Sequence, residues 1–226
     1  MQFYALVAEW PDEYVAYFRE LPGCVCSAPT YQELLAILPI GVADYFKWLK
    51  ANGLPFIEEF DGVIDIVEKE RIALKEEEGG PRFEADLASP SDAEIDTALN
   101  IAATARAAIL ELYEELSSEQ QNLRLSPDDW SLTEHLQHLY KAEARYISRL
   151  EEQPDGDIPI PTDLTMAFFD KAMDYELLLR ALTPTQRQRV FTHDDGTEWT
   201  AAKVLRRMTG HLREHNAWME RIKQEM

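Results

Sequence analysis

The second half of the chain carries four long segments in which apolar residues recur at helical spacing. The first follows the capping box Ser91–Glu94 and the second follows Ser131–Glu134, both of which are sequence signatures of a helix N-terminus. The third spans about Leu164–Leu182, and the fourth runs from about Thr200 onward. Amphipathic helices of this length bury their apolar faces against one another, so residues 92–226 are predicted to form an all-α four-helix bundle.

Residues 1–74 carry strand and turn signals instead. The stretches Phe3–Trp10 and Glu13–Leu21 are rich in aromatic and β-branched residues and flank a Pro-Asp turn, which is typical of a β-hairpin. A capping box begins at Thr30, and the helix behind it contains Pro39, which is predicted to kink or split that helix. One or two further strands are expected after the helix. The prediction is an α+β domain, with a small antiparallel sheet and one main helix.

An acidic segment without periodicity separates the two halves. It holds the sequence KEEEGGPRFEADLASPSD, whose Gly-Gly-Pro and lack of an apolar repeat are typical of a connection between domains. The predicted organisation is an α+β domain over residues 1–74, a linker over 75–91 and a helical domain over 92–226.

The charge balance of the 226-residue chain limits its partners. It has 22 Lys and Arg against 42 Asp and Glu, a formal net charge of −20. Nucleic acid and anionic membrane surfaces carry the same sign of charge and are not expected as partners, since no dense basic patch offsets the average. A basic protein would suit the charge better. The start of the chain does not resemble a signal peptide, and no apolar run reaches the roughly 20 residues of a membrane span.

The two cysteines are separated by a single residue. In a strand, Cys24 and Cys26 would point the same way, and a disulfide between them would be strained. We expect two buried or half-buried thiols, and a reducing cytoplasm is the simplest location for the protein.

Four of the five histidines lie on two of the predicted bundle helices. His211 and His215 are one helical turn apart and fall in the middle of the apolar stripe of the last helix, so they face the bundle interior. His135 and His138 lie on the second helix of the bundle. A buried imidazole without a partner costs about 1–3 kcal/mol, whereas neutral imidazole is a common ligand of zinc, nickel and related ions. The pattern predicts a divalent-metal site, and the alternative is a set of core histidines satisfied by ordinary hydrogen bonds.

Two motifs resemble the DinB-like (DinB/YfiT) superfamily. They are WSLTEHLQHL, residues 130–139, and DGTEWTAAKVLRRMTGHLREH, residues 195–215, within a resemblance that covers about Asp92–Met226. That superfamily consists of four-helix bundles that hold a divalent metal, commonly zinc or nickel, with one histidine on the second helix and an H-x-x-x-H pair on the last. The metal ligands that the resemblance implies are His138, His211 and His215.

Apolar spacing alone favours a different histidine on the second helix. If Leu132, Leu136 and Leu139 define the core direction, His135 lies nearer to it than His138 does. The motif places the ligand at His138, and His135 is then expected to support a ligand or to face the substrate.

The N-terminal half resembles another family. The stretch VAYFRELPGCVCSAPTYQELLAILPIGVADYFKWLKANG is similar to the HicB-like antitoxin domain, in which a strand, an LPGC turn, a capped helix and a further strand follow one another. The resemblance covers about Phe3–Ile72 and implies a domain that pairs with a protein. Antitoxins of that family often add a DNA-binding segment, and the sequence shows none.

Two functions follow from these resemblances. Characterised DinB-like proteins include thiol-dependent transferases and hydrolases, which implies a metal-dependent enzyme acting on a small molecule. The alternative is a non-catalytic binding or regulatory module, in which the HicB-like domain engages a protein and the bundle is a scaffold.

A homodimer is also expected. Both families usually self-associate, and Trp10, Tyr17 and Phe18 are more aromatic surface than a small domain can easily bury alone.

Overall fold

The N-terminal half is a sheet covered by one long helix. The computed structural model describes residues 1–55, 64–74, 80–151 and 156–226. The N-terminal elements are β1 (Gln2–Glu9), β2 (Tyr14–Phe18), β3 (Val25–Ala28), α1 (Tyr31–Ala51) and β4 (Asp65–Ala73). Of the one or two further strands expected after α1, the part over PFIEEF, residues 55–60, lies almost entirely outside the described residues.

The sheet is mixed, so the prediction of an antiparallel sheet is wrong. The strand order is β3-β2-β1-β4. β2 runs antiparallel to β1 and to β3, whereas β4 runs parallel to β1. The reason is the connection, because α1 lies between β3 and β4 in the chain, and a helical crossover is the usual way to bring a strand back parallel to an earlier one.

One face of α1 packs on the sheet. Thr30 caps its N-terminus, since the Thr30 hydroxyl oxygen accepts a hydrogen bond from the backbone N–H of Glu33. The helix is not split at Pro39, which lies on its exposed side. The residues that α1 buries recur at helical spacing and are Leu34, Leu38, Val42, Tyr45, Phe46 and Leu49.

The closest approach of α1 to the sheet is at Gly41. A Cβ atom added there would overlap the Sγ atom of Cys26. We therefore expect Gly41→Ala to lower the free energy of unfolding by about 1–3 kcal/mol, although alanine favours a helix interior by about 1 kcal/mol over glycine. Urea unfolding followed by circular dichroism measures the change.

Two further variants control this prediction. Combining Gly41→Ala with Cys26→Ala should recover much of the lost stability, because the overlapping sulfur is gone. Gly156→Ala should leave stability nearly unchanged, since a Cβ there meets no atom within 4 Å. Full stability of the single Gly41→Ala variant would show that the helix and strand are not held this closely.

The C-terminal half is a helical bundle. Its elements are α2 (Asp92–Glu114), α3 (Ser118–Gln121), α4 (Leu132–Glu151), α5 (Leu164–Ala181), α6 (Pro184–Arg187), β5 (Phe191–Thr192), β6 (Glu198–Trp199) and α7 (Ala201–Glu225). The long helices α2 and α4 each contact both α5 and α7, so α2, α7, α4 and α5 surround one apolar core.

Capping boxes fix the start of two of these helices, as predicted. The Ser91 hydroxyl accepts from the backbone N–H of Glu94, and the Glu94 carboxylate accepts from the backbone N–H of Ser91. The same reciprocal pair joins Ser131 and Glu134 at the start of α4. Each box satisfies N–H groups that a helix N-terminus otherwise leaves unpaired.

The helix α7 also joins the bundle to the N-terminal sheet. The side chain of Val25 packs beside Gly210, where an added Cβ would lie 2.9 Å from Val25 Cγ2. The guanidinium group of Arg213 stacks on the ring of Trp48 in α1, 3.8 Å from its centroid. The two halves therefore share an interface along α7.

Two of the three aromatic residues that suggested a dimer are buried within the chain, and the third, Trp10, is partly buried. Tyr17 is 3% exposed and Phe18 is 2% exposed. The Tyr17 ring packs against the ring of Phe83 and against the guanidinium group of Arg206 in α7. Tyr17 and Phe18 are therefore covered without a second copy, and the homodimer stays a prediction. Burial between distant parts of one chain leaves no trace in local sequence pattern.

Part of the predicted linker is packed against α7. A 3₁₀ helix, Glu84–Leu87, follows the buried Phe83. The Asp86 carboxylate accepts two hydrogen bonds from the guanidinium group of Arg206, at 3.1 and 2.7 Å. Residues 75–79 of the linker lie outside the described residues, and the division into separately folding domains stays a prediction. Among the helices described, none has the length and apolar character needed to cross a membrane.

Candidate metal centre

The N-terminal turns of α4 place two histidines at one end of the bundle. His135 is buried and His138 is half-buried. The Ser131–Glu134 box anchors this end of α4, and Arg124 binds the Glu134 carboxylate from the preceding loop. Hydrogen bonds from the Ser131 backbone and from Arg124 lower the pKa of Glu134 to about 2.

The helix α7 supplies the other two histidines. His211 is half-buried and His215 is 2% exposed. Both lie between the buried Met208 and Met219, as the apolar stripe predicted. The side chains therefore point into the bundle, where polar atoms need partners.

Three imidazoles come together at this end of the bundle. One ring nitrogen from each of His138, His211 and His215 lies within 4.8 Å of those of the other two. The Nε2 atoms of His138 and His211 are 2.9 Å apart. Among the described residues, this is the one group of three or more His, Cys, Asp or Glu side chains close enough to share an ion.

His135 contacts the cluster from one side. Its Nδ1 atom lies 2.8 Å from Nδ1 of His215, and the tautomer decides which nitrogen donates. If His215 holds an ion through Nε2, then its Nδ1–H donates to His135. This places His135 where it can fix the tautomer and orientation of a ligand.

The environment keeps these imidazoles neutral. Burial lowers the pKa of His135 to about 4 and that of His215 to about 2. Burial also lowers the pKa of His138, with Arg207 adding to the effect, and it holds the pKa of His211 well below its usual range. Neutral imidazole has the free lone pair that a metal requires, so the cluster does not have to release protons near pH 7.

The donor set fits a borderline divalent ion. Three neutral nitrogen donors without a carboxylate or thiolate match the preferences of zinc and nickel better than those of magnesium or calcium. The buried Nδ1 atom of His211 has no hydrogen-bond partner among the described residues. Its Nε2 atom, turned toward His138, is the nitrogen available to an ion.

The histidines lie at the base of an open cavity of about 630 Å³. Two half-exposed tryptophans flank them. The Trp130 ring centroid is 4.9 Å from that of His138, and the Trp218 ring centroid is 5.0 Å from that of His215. Three ligands and an open side leave room for water or substrate, as in catalytic rather than structural metal sites.

Trp218 was not among the site residues predicted from the sequence. Trp218 follows His215 by three residues, so helical spacing alone could have placed it beside the cluster. Asp195 belongs to an Asp-Asp-Gly sequence that is typical of a turn, and it accepts a hydrogen bond from Arg149 in a turn that ends at Gly196. The fifth histidine, His193, contacts the backbone carbonyl of Arg149 and lies outside the cluster.

We expect His135 to strengthen metal binding at the site, although the protein should still bind one metal ion per chain without it. Replacing it by leucine should weaken binding of zinc by about 10–100-fold, because His215 loses the acceptor that orients it. His135→Asn should recover part of this loss, since the amide oxygen can accept the same hydrogen bond. Competition with a chromogenic chelator measures both, and equal affinities of all three proteins would contradict the assigned role.

The chain is similar to two solved structures. The structure of YfiT from Bacillus subtilis, described as a probable metal-dependent hydrolase with an unusual four-helix bundle topology, superposes with a TM-score of 0.51 and 19% identity. That match covers 65% of this chain and 92% of YfiT. The DinB-like protein YjoA from Bacillus subtilis matches with a TM-score of 0.48 and 19% identity over 57% of this chain and 91% of its own.

At these identities, the likeness to YfiT shows the fold. A search of curated proteins found no significant match. The family model of the DinB superfamily matches residues 102–219, more than half of the chain and the part that holds all four clustered histidines. The chain therefore belongs to the DinB superfamily.

Proposed function

We propose that the protein is a divalent-metal-dependent enzyme that acts on a small molecule. The metal is held by His138, His211 and His215 within a four-helix bundle of α2, α4, α5 and α7. The observation that carries this proposal is the convergence of three imidazoles in the wall of an open cavity. A structural site would be closed by a fourth protein ligand.

The reaction class is hydrolysis or transfer of a thiol to an electrophile. A bound divalent ion lowers the pKa of water or of a thiol and supplies a nucleophile near neutral pH. Neighbouring residues of the chain orient the imidazoles that hold the metal. His135 contacts His215, and the ring centroid of the buried Tyr146 lies 6.1 Å from that of His211. Zinc or nickel is the proposed metal, on the strength of the all-nitrogen donor set.

An activity screen of the metal-free protein and of three metal-loaded forms tests this function. The protein is stripped with a chelator, then reloaded with zinc, nickel or magnesium. Each form is tested with small esters, amides and lactones, and with an electrophile in the presence and absence of a low-molecular-weight thiol. We expect turnover with zinc or nickel that is lost in the stripped protein and in His211→Ala. Turnover that is equal in the stripped and loaded forms would overturn the proposal.

A regulatory role for the N-terminal half is the second candidate. We propose that this half is a HicB-like domain, supported by the order of strand β3, the Thr30-capped helix α1 and strand β4. The observation in favour of regulation is the contact of Val25 and Trp48 with α7, the helix that carries His211 and His215. A protein bound to the sheet would thus act on the element that positions two of the proposed ligands.

The homodimer also stays a proposal. Since Tyr17 and Phe18 are buried within the chain, the proposal of a homodimer is supported by the DinB-like and HicB-like resemblances and not by these two residues. We expect sedimentation equilibrium at physiological salt to give twice the chain mass of 26.0 kDa at micromolar concentration. A monomer at low and physiological salt would contradict it.

A further inference from the structure

We propose that the mouth of the histidine cavity binds the ammonium group of an organic-cation substrate, with Trp130 and Trp218 as its aromatic walls. This inference rests on the proposed function, because it names the class of molecule that reaches the metal. It is carried by the position of the two tryptophans and by the charges around them.

The two tryptophans flank the histidines and remain open to solvent. Trp130 is 43% exposed and Trp218 is 44% exposed. Both rings contact the same two histidines. The ring centroid of Trp130 lies 5.4 Å from that of His135 and 6.4 Å from that of His215. The ring centroid of Trp218 lies 6.0 Å from that of His135 and 5.0 Å from that of His215. The indole rings are thus held beside the cluster, although neither is needed to fill the core.

Carboxylates dominate the charge of the cavity wall. Asp128 and Asp129 lie just before α4, and Glu225 lies at the end of α7, all of them exposed. Within the part of the chain that the structure describes, none of their side chains has an ion pair or hydrogen bond. Arg221 is the one cationic side chain among the described residues that line the cavity. With three carboxylates and one guanidinium group, the wall therefore carries an excess of negative charge.

These carboxylates do not form a second metal site. Among the described residues, the His, Cys, Asp and Glu side chains that converge closely enough to share an ion are the three histidines, without Asp128, Asp129 or Glu225. Carboxylates at several separate positions beside aromatic rings suit an organic cation, such as an alkylammonium, whose positive charge is distributed over its alkyl groups. An indole face is the best aromatic partner for such a cation.

Other ligand classes fit this mouth less well. An anion would meet three carboxylates at the wall and a chain of net charge −20. A neutral aromatic molecule could stack on the tryptophans but would leave the carboxylates unpaired. A cation satisfies both the aromatic rings and the acidic side chains.

Choline and its uncharged analogue 3,3-dimethylbutan-1-ol test the proposal. The two molecules have nearly the same shape, and a neutral carbon in the alcohol replaces the positively charged nitrogen of choline. Binding of each to the full-length protein is measured by calorimetry, in zinc-loaded and chelator-stripped forms. We expect choline to bind about 10-fold or more tightly than the alcohol, with an affinity that falls as salt rises. The double variant Asp128→Asn/Asp129→Asn should lose this preference while still binding the alcohol as before.

Tryptophan variants separate the aromatic contribution. Trp218→Leu should weaken choline at least several-fold, whereas Trp10→Leu, outside the cavity, should not. Circular dichroism confirms that each variant is folded. Equal binding of choline and the alcohol, no binding of either, or unchanged choline binding by the double variant would each overturn the inference.

The metal content of the same samples separates this inference from the proposed function. Zinc bound without a preference for choline overturns the inference and leaves the metal-dependent function standing. A preference for choline in a protein that binds no divalent metal supports the cation site and overturns the metal-dependent function.

Discussion

Replacing His215 by alanine is expected to reduce the divalent metal bound to the protein from about one ion per chain to nearly none. His215 is the most deeply buried of the three converging histidines. Removal of a residue that only supports a ligand typically weakens metal binding by about 10–100-fold, so loss of a ligand should weaken it by more than about 100-fold. Inductively coupled plasma mass spectrometry of protein purified without a histidine tag measures the content.

The chain supplies a matched control. His193 contacts the backbone carbonyl of Arg149 and does not belong to the cluster. We expect His193→Ala to keep its metal. A ligand that binds only the folded state stabilises it by about 2.7 kcal/mol at 100 times its dissociation constant, so zinc should raise the melting temperature of the wild type and of His193→Ala but not of His215→Ala. Equal metal content in the two variants would end the assignment.

The histidines of α7 could be predicted because helical geometry is local. Two residues four positions apart in a helix share a face whatever the fold, and the apolar neighbours Met208 and Met219 identified that face as the buried one. Nothing beyond the sequence of one helix was needed. The spacing therefore predicted that these histidines lie on the buried face of α7, but it did not predict their function.

The choice between the histidines of α4 shows the limit of such reasoning. Apolar spacing pointed to His135 and the family motif to His138, and the structure brings both to the cluster, on different sides of it. His138 meets His211, whereas His135 meets His215. A helix that packs between two neighbours has a wide buried face, so one stripe direction cannot separate residues that are three positions apart.

Contacts between distant segments could not be predicted. The parallel pairing of β4 with β1 and the burial of Tyr17 against Phe83 both depend on how separate elements dock. Alternation and spacing report which face of an element is apolar, not which partner covers it. Trp130 was missed for the same reason, because its contact with His215 joins two distant segments of the chain.

Removing one partner of the buried Arg106–Glu143 pair should have the largest effect on stability. The pair joins α2 to α4, with Arg106 Nη2 2.6 Å from Glu143 Oε1 and the two side chains 3% and 1% exposed. We expect Glu143→Ala to lower the free energy of unfolding by about 3–5 kcal/mol at pH 8, because the guanidinium of Arg106 is left buried without its counter-charge. Urea unfolding measures the change.

Two control variants show whether the loss of stability comes from leaving a buried charge without a partner. Arg180→Ala breaks a half-exposed pair with Asp96 and should cost no more than about 1 kcal/mol. The double variant Arg106→Met/Glu143→Leu should be more stable than Glu143→Ala, since it removes both charges and fills the space. If Glu143→Ala costs no more than Arg180→Ala, the pair is not desolvated in solution.

The pH dependence of the same pair has a defined sign. Burial raises the pKa of the Glu143 carboxyl to about 7, against the opposing effect of Arg106. A carboxyl whose pKa is raised on folding favours the folded state below its unfolded pKa of about 4.5, and this contribution is lost as the pH rises through about 7. Compared with Glu143→Gln, which does not titrate, the wild type should therefore gain relative stability as the pH falls from 7 toward 4.5. A difference in unfolding free energy that stays constant over that range would show that Glu143 is ionised throughout, and that the attraction of Arg106 outweighs the cost of burial.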